Sequence, residues 1–212
     1  MTFQTDVDSE DSFPSRRAFA VGGLSAALAA ALGGALGGCT ADTMDGMTAY
    51  APVDGRVSPQ YQRRRVRYAT AEKPGTIIVD TSERYLYVVE PNGMATRYGV
   101  GVGREGFAWN GRARVGRKAE WPVWTPPPQM IKRQPELKKY AGGMAGGPEN
   151  PLGARAMYLY DGGRDTMYRL HGTNQPWSIG RAMSSGCIRM MNADVIHLYN
   201  RTPVGTPVIV KT

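Results

Sequence analysis

Cysteine and histidine are the scarce residues of this 212-residue chain, which holds two of each. Two cysteines cannot staple a disulfide-dense scaffold, so an apolar core has to hold the fold. Two histidines nearly exclude a multi-histidine metal site, and no Cys, His or acidic cluster has the spacing of a metal centre. No cofactor is implied: no Gly-rich loop precedes a Lys in P-loop form. Gly101-Val102-Gly103 is a fragment of a dinucleotide fingerprint, without its third Gly or a following helix. No carboxylate pair suited to glycoside hydrolysis stands out, and there is no internal repeat. Acidic residues are also in deficit, 18 against 26 Lys and Arg, for a net charge of +8. That sign points to an anionic partner, whether nucleic acid, membrane surface or acidic polymer.

What is present bounds the answer further. Gly and Pro together supply 42 residues, 27 and 15 respectively, which argues for many turns and against a helical bundle. With 42% hydrophobic and 21% charged residues the chain is globular, and its length allows one domain or two small ones.

Residues 1–39 read as an address. A polar, acidic stretch leads to Ser15-Arg16-Arg17-Ala18-Phe19, followed by a weakly hydrophobic run of mainly Ala, Gly, Leu and Val from Ala20 to Leu36. A twin arginine before such a run reads as a bacterial twin-arginine export signal, with an uncleaved membrane anchor as the alternative. The run closes on Leu36-Gly37-Gly38-Cys39, which resembles a lipoprotein lipobox with Gly37 at an unusual position. Cys39 is therefore a candidate for lipidation, the alternative being ordinary cleavage nearby. One lipid would hold the protein at a membrane leaflet without spanning it. Residues 1–38 carry two of the basic and four of the acidic residues, so the remainder has 24 against 14, a net of +10. Export to a periplasm or cell envelope makes wall polymer or phospholipid the expected anion, and nucleic acid not a partner.

Residues 40–73 read as a flexible basic tether: a small, polar stretch, then Arg63-Arg64-Arg65-Val66-Arg67 between Tyr61 and Tyr68. The basic cluster reads as solvated linker or as a patch on anionic lipid or wall. The folded domain is expected over 74–212. Strands are predicted at Thr76–Asp80, Arg84–Glu90, Met94–Val102, Ala154–Tyr160, Thr166–His171 and Val204–Val210. Pro91-Asn92-Gly93 signals a hairpin turn, and Ala141–Pro151 is a Gly-rich loop. The one convincing helix begins at Asn192, read as its N-cap, with Asp194 in the first turn. His197, three residues on, is within reach of Asp194.

The densest chemistry lies between His171 and Asn192. Cys187 follows Ser184-Ser185-Gly186, and a Gly before a cysteine permits a tight turn with unusual dihedrals. Such a turn can aim successive N–H groups at one spot, as an oxyanion hole requires. A histidine beside a cysteine can take its proton and create a thiolate nucleophile. A lone cysteine, however, is commonly a small buried apolar residue. Trp121, Trp124 and Trp177 read equally as site-lining or core residues. Arg155 and Arg169 read as carboxylate holders or solvated strand residues. Thr173 and Ser184 are placed to buttress His171 or the loop.

His171-Gly172-Thr173-Asn174, Pro176-Trp177-Ser178-Ile179-Gly180, Ser184-Ser185-Gly186-Cys187-Ile188-Arg189-Met190 and the later Asn192, Asp194 and Leu198-Tyr199 resemble the YkuD-type L,D-transpeptidase catalytic domain. The resemblance runs upstream through Arg114–Pro122 and Asn150–Gly153, and covers roughly residues 75–211. It implies a mostly β fold, compact, mixed and sandwich- or barrel-like, with one or two short helices. It also implies a cysteine acyltransferase acting on peptidoglycan stem peptides. By that resemblance Cys187 is the nucleophile and His171 the base. The backbone at Ser185, Gly186 and Cys187 forms the oxyanion hole, and Arg189 steers a substrate carboxylate. Gly172, Thr173, Trp177 and Ser184 are then expected at the substrate. One departure is Ser185, where the family often has His. The main-chain N–H is preserved and an imidazole near substrate is lost.

Overall fold

The computed structural model describes residues 57–105, 107 and 109–212. Cys39, the twin arginine and most of the expected tether lie outside the described residues. Within them the chain forms strands β1 (Arg64–Arg67), β2 (Ile77–Asp80), β3 (Tyr85–Glu90), β4 (Met94–Gly99), β5 (Val102–Gly103) and β6 (Gly111–Glu120). Helix α1 (Pro128–Arg133) precedes β7 (Arg155–Asp161), β8 (Arg164–His171), β9 (Ala182–Ser184) and β10 (Ile188–Arg189). Helix α2 (Asn192–Arg201) and β11 (Pro207–Lys211) close the chain. Among the described residues, no helix is long and apolar enough to cross a membrane.

The strands make a nine-stranded mixed sheet in the order β1-β4-β3-β2-β11-β6-β7-β8-β10, with β5 and β9 paired separately. The mostly β class with few short helices is as the residue pattern and the resemblance imply. The β3–β4 hairpin turns at Asn92 and Gly93, whose φ angles of 62° and 67° match the right-handed strand twist. Every residue of β2 is buried, because both its faces are covered. Ile77 and Val79 join the main core, where the sheet packs with Val195 and Leu198 of α2. Ile78 joins a second apolar cluster with Tyr87, Val89 and Ala95 on the opposite face.

Three expectations change. The basic cluster read as solvated tether contains a strand: β1 pairs antiparallel with β4, Arg64 opposite Arg97 and Arg67 opposite Met94. Val66 supplies the reason, since it packs on the second cluster while the arginines flank it in solvent. The folded unit thus reaches back before residue 74. Asn192 is not an N-cap; it is the first helical residue, after Met191, and its side chain caps nothing in α2. Asp194 does not pair with His197. Its carboxylate meets Arg63 at 3.3 Å, and His197 Nδ1 instead meets the Tyr98 hydroxyl at 2.8 Å.

Candidate active site

Strand register sets the segment that follows Cys187 beside the strand that ends at His171. β10 runs parallel to β8 with Ile188 opposite Leu170 and Arg189 opposite His171. Side chains alternate along a strand. Ile188 and Leu170 therefore point into the core, where both are buried. His171 and Arg189 point to the other face, and Cys187 stands in the turn immediately before β10. Antiparallel pairing with β7 sets Ala156 opposite His171 and Tyr158 opposite Arg169, which floors the face with a small residue and a ring.

His171 is 5% exposed. Its Nδ1 lies 2.6 Å from the Gly172 carbonyl. A carbonyl only accepts, so Nδ1 carries the proton and Nε2 keeps its lone pair. Burial, and then the nearby Arg189 charge, push the imidazole down to about 4. Burial pushes the Cys187 thiol up, against a pull from the Arg169 backbone N–H and the Arg169 and Arg189 charges. The pair rests neutral at pH 7.

The turn before Cys187 is held by one hydroxyl. Ser184 Oγ donates to the Cys187 carbonyl at 2.6 Å and accepts from the Gly186 N–H at 3.1 Å. Gly186 has φ of +116°, which only Gly adopts without strain, and a β-carbon there would strike the Tyr168 ring. The Gly186 N–H thus has a partner in Ser184 Oγ. The Ser185 and Cys187 amides have no hydrogen-bond partner among the described residues.

The remaining residues divide. Arg189 exchanges backbone bonds with Gly101 and donates from its guanidinium to Gln175 Oε1 at 3.0 Å. Thr173 is buried, and its hydroxyl accepts from the Gln175 N–H at 2.9 Å. Trp177 is 46% exposed on a short 3-10 turn, so it is a surface ring and not core. Trp124 exchanges backbone bonds with Met144, and its ring tilts against Tyr140 at 6.0 Å. Arg169 is held bidentate by Asp165 at 2.7 and 3.0 Å and lies 4.5 Å from the Tyr158 ring centre. Arg155 pairs with Glu120 at 3.1 Å. Neither arginine is a loose solvated strand residue.

Three features escape a linear reading. Asn192 Oδ1 accepts from the Ala154 N–H at 3.0 Å and the Thr173 N–H at 3.3 Å. It also occupies the space where Gly153 and Gly172 would carry a β-carbon, so it locks the strand ends that flank His171. Second, β8 bulges opposite β7 between Tyr158 and Tyr160, with Met167 at φ 65°. The bulge carries the Met167 carbonyl to 3.8 Å from Cys187 Sγ. Third, Trp109 stacks on Tyr168 at 5.1 Å.

The comparisons with known proteins point one way. The family of the L,D-transpeptidase catalytic domain (YkuD) matches residues 74–210. The probable L,D-transpeptidase ErfK/SrfK of Escherichia coli is 37% identical over 139 residues, 62% of this chain. The aligned segment spans only 42% of that relative's length. A putative L,D-transpeptidase of Fuscovulum blasticum is 33% identical over 202 residues, 93% of this chain and 97% of its own. A solved structure from Brucella melitensis, described as a probable carnitine operon oxidoreductase, is 47% identical, with a TM-score of 0.51. It covers 73% of this chain and 96% of its own. The oxidoreductase name belongs to that protein. In this chain Gly101-Val102-Gly103 runs into the β5–β9 pair, not into the helix that a dinucleotide fingerprint requires. With the family matched over most of its length, this chain belongs to the L,D-transpeptidase catalytic-domain (YkuD) family.

Proposed function

We propose that this protein is an exported cysteine L,D-transpeptidase of peptidoglycan. The observation that carries the reading is the pairing of β10, which Cys187 directly precedes, with the His171 end of β8, with His171 Nδ1 tied to the Gly172 carbonyl so that Nε2 is left as a base. The substrate is a stem peptide with meso-diaminopimelate followed by D-Ala. Because thiol and imidazole both rest neutral, His171 Nε2 takes the Cys187 proton as sulfur attacks the carbonyl at the L-centre of diaminopimelate. The Ser185, Gly186 and Cys187 N–H groups are the candidates to donate to the developing oxyanion. The tetrahedral intermediate collapses by breaking the C–N bond, and the imidazolium returns its proton to the departing D-Ala amine. A thioester remains on Cys187. A side-chain amine of a second stem then attacks it, His171 takes the amine proton, and the proton passes to sulfur as the C–S bond breaks. The product is a 3→3 cross-link. The Arg189 charge on the same face is suited to a substrate carboxylate. The twin-arginine segment supports export, and Cys39 supports attachment to a membrane by one lipid.

The test uses the chain and its Cys187→Ala variant with disaccharide-tetrapeptides, read by mass spectrometry. Expected products are free D-Ala and a cross-linked dimer, both absent with the variant. D-Ala with tripeptide alone would make the protein a hydrolase. No Cys187-dependent product, from this or other donor peptides, would leave a wall-binding protein without turnover.

A further inference from the structure

We propose that Tyr61 and Arg63, which precede the matched catalytic domain, are positioning residues that hold both halves of the catalytic centre. The proposal rests on the transpeptidase reading of Cys187 and His171. Tyr61 sits at the end of a short 3-10 turn, with its N–H on the Ser58 carbonyl at 2.8 Å. The turn is pinned to the sheet at Gln60, whose carbonyl accepts from the Tyr85 hydroxyl at 3.1 Å and from Arg97 at 3.3 Å. Two glycines make the socket that Tyr61 fills. A β-carbon at Gly99 would fall on the Tyr61 backbone, and one at Gly180 would strike its ring. The ring also tilts against Tyr85 at 5.4 Å.

Gly180 belongs to the segment that leads to Cys187. Its N–H donates to the Val100 carbonyl at 3.0 Å, and the Val102 N–H donates to Arg181 at 3.0 Å. The next link is the Arg104 N–H to the Ser184 carbonyl at 3.1 Å. Ser184 is the residue whose hydroxyl holds the Gly186–Cys187 turn. Tyr61 therefore seats the start of a stitched path that ends at the thiol.

Arg63 reaches the other half. It meets Asp194 at 3.3 Å, in the first turn of α2. Asp194 is 9% exposed, so Arg63 neutralises a carboxylate that has little water. Two residues earlier Asn192 holds the Thr173 and Ala154 N–H groups around His171. One short segment thus touches the path to the thiol through Tyr61 and, through Arg63, the first turn of the helix whose Asn192 holds the strand ends around His171. Misplacement by about 1 Å is enough to cost catalysis about 100-fold.

The experiment uses the full chain and reads two quantities. The first is the rate of Cys187 alkylation by iodoacetamide from pH 6 to 10, measured by peptide mass spectrometry, which requires no turnover. The second is kcat and KM with the tetrapeptide, alongside Tm. Tyr61→Ala is expected to move the alkylation profile and lower kcat about 10- to 100-fold with little change in KM. Tyr61→Phe is expected to restore both, since the ring fills the socket. Arg63→Ala is expected to lower kcat in the same way, and Arg63→Lys to recover part of it. Should Tyr61→Ala fail to fold, Tyr61→Leu, apolar but not planar, gives the same comparison with Phe. A folded Tyr61→Ala or Leu chain with wild-type alkylation and turnover would overturn the proposal. If the wild type turns over no substrate, the transpeptidase reading fails, and the alkylation profile still decides whether the segment positions the thiol.

Discussion

Acid should unfold this protein partly through His171, and the size of the effect follows from its burial. The side chain is 5% exposed, and its pKa is pushed from 6.5 to about 4 by burial first and Arg189 second. The unfolded chain takes up the proton near pH 6.5, whereas the folded chain resists it until about pH 4. Below pH 6.5 the unfolded state therefore binds more protons, and stability falls with pH. The loss begins near pH 6.5 and is complete below about pH 4. Over 2.5 pH units it amounts to about 3 kcal/mol at 1.36 kcal/mol per unit. The assay is urea unfolding at half-unit steps from pH 7.5 to 4, for the wild type and for His171→Gln. The Gln variant subtracts the other titrating groups, including Asp194, whose carboxyl burial raises, and His197, which burial lowers. Between pH 6.5 and 4 the wild type should lose about that much more stability than the variant. With only two histidines in the chain, ring proton signals give an independent titration of each. Parallel stability curves, or a His171 signal titrating near 6.5, would refute the reasoning.

Two further substitutions test the supports around the pair. Asn192→Ala removes the acceptor for the Ala154 and Thr173 N–H groups and is expected to lower kcat about 10-fold or more. Asn192→Asp keeps an acceptor, so it should recover much of the rate, and its negative charge should raise the acid limb of the pH–rate profile. Gly186→Ala puts a β-carbon on the Tyr168 ring at a φ of +116°, so its cost has two causes. Steady-state turnover should fall about 100-fold, and Gly186→Ala with Tyr168→Ala should recover only part, because the backbone strain stays.

The parts legible in the sequence were those in which local pattern and final environment agree. The β3–β4 hairpin follows from β-branched and aromatic residues around Asn92-Gly93, and α2 from the run after Asn192 with Asp194 in its first turn. His171 and Cys187 stood out because a Gly neighbours each and reactive residues are few in this chain. What escaped was set by distant partners. The basic run 63–67 looks solvated residue by residue, and only the Val66 contact with a far hairpin makes it a strand. Asn192 has the composition of a cap, yet its Oδ1 is claimed by Ala154, 38 residues earlier. Gly99 and Gly180 look like ordinary glycines until one residue, Tyr61, is found to fill the space beside both. Gly186 gives the opposite lesson: the turn it permits is legible from the Gly-Cys pair alone, and its φ of +116° is the value such a turn calls for. The chemistry is written in the motif, while its alignment is written in residues as remote as Tyr61. A catalytic domain cut at residue 74 would keep every motif residue and lose the ring that seats them.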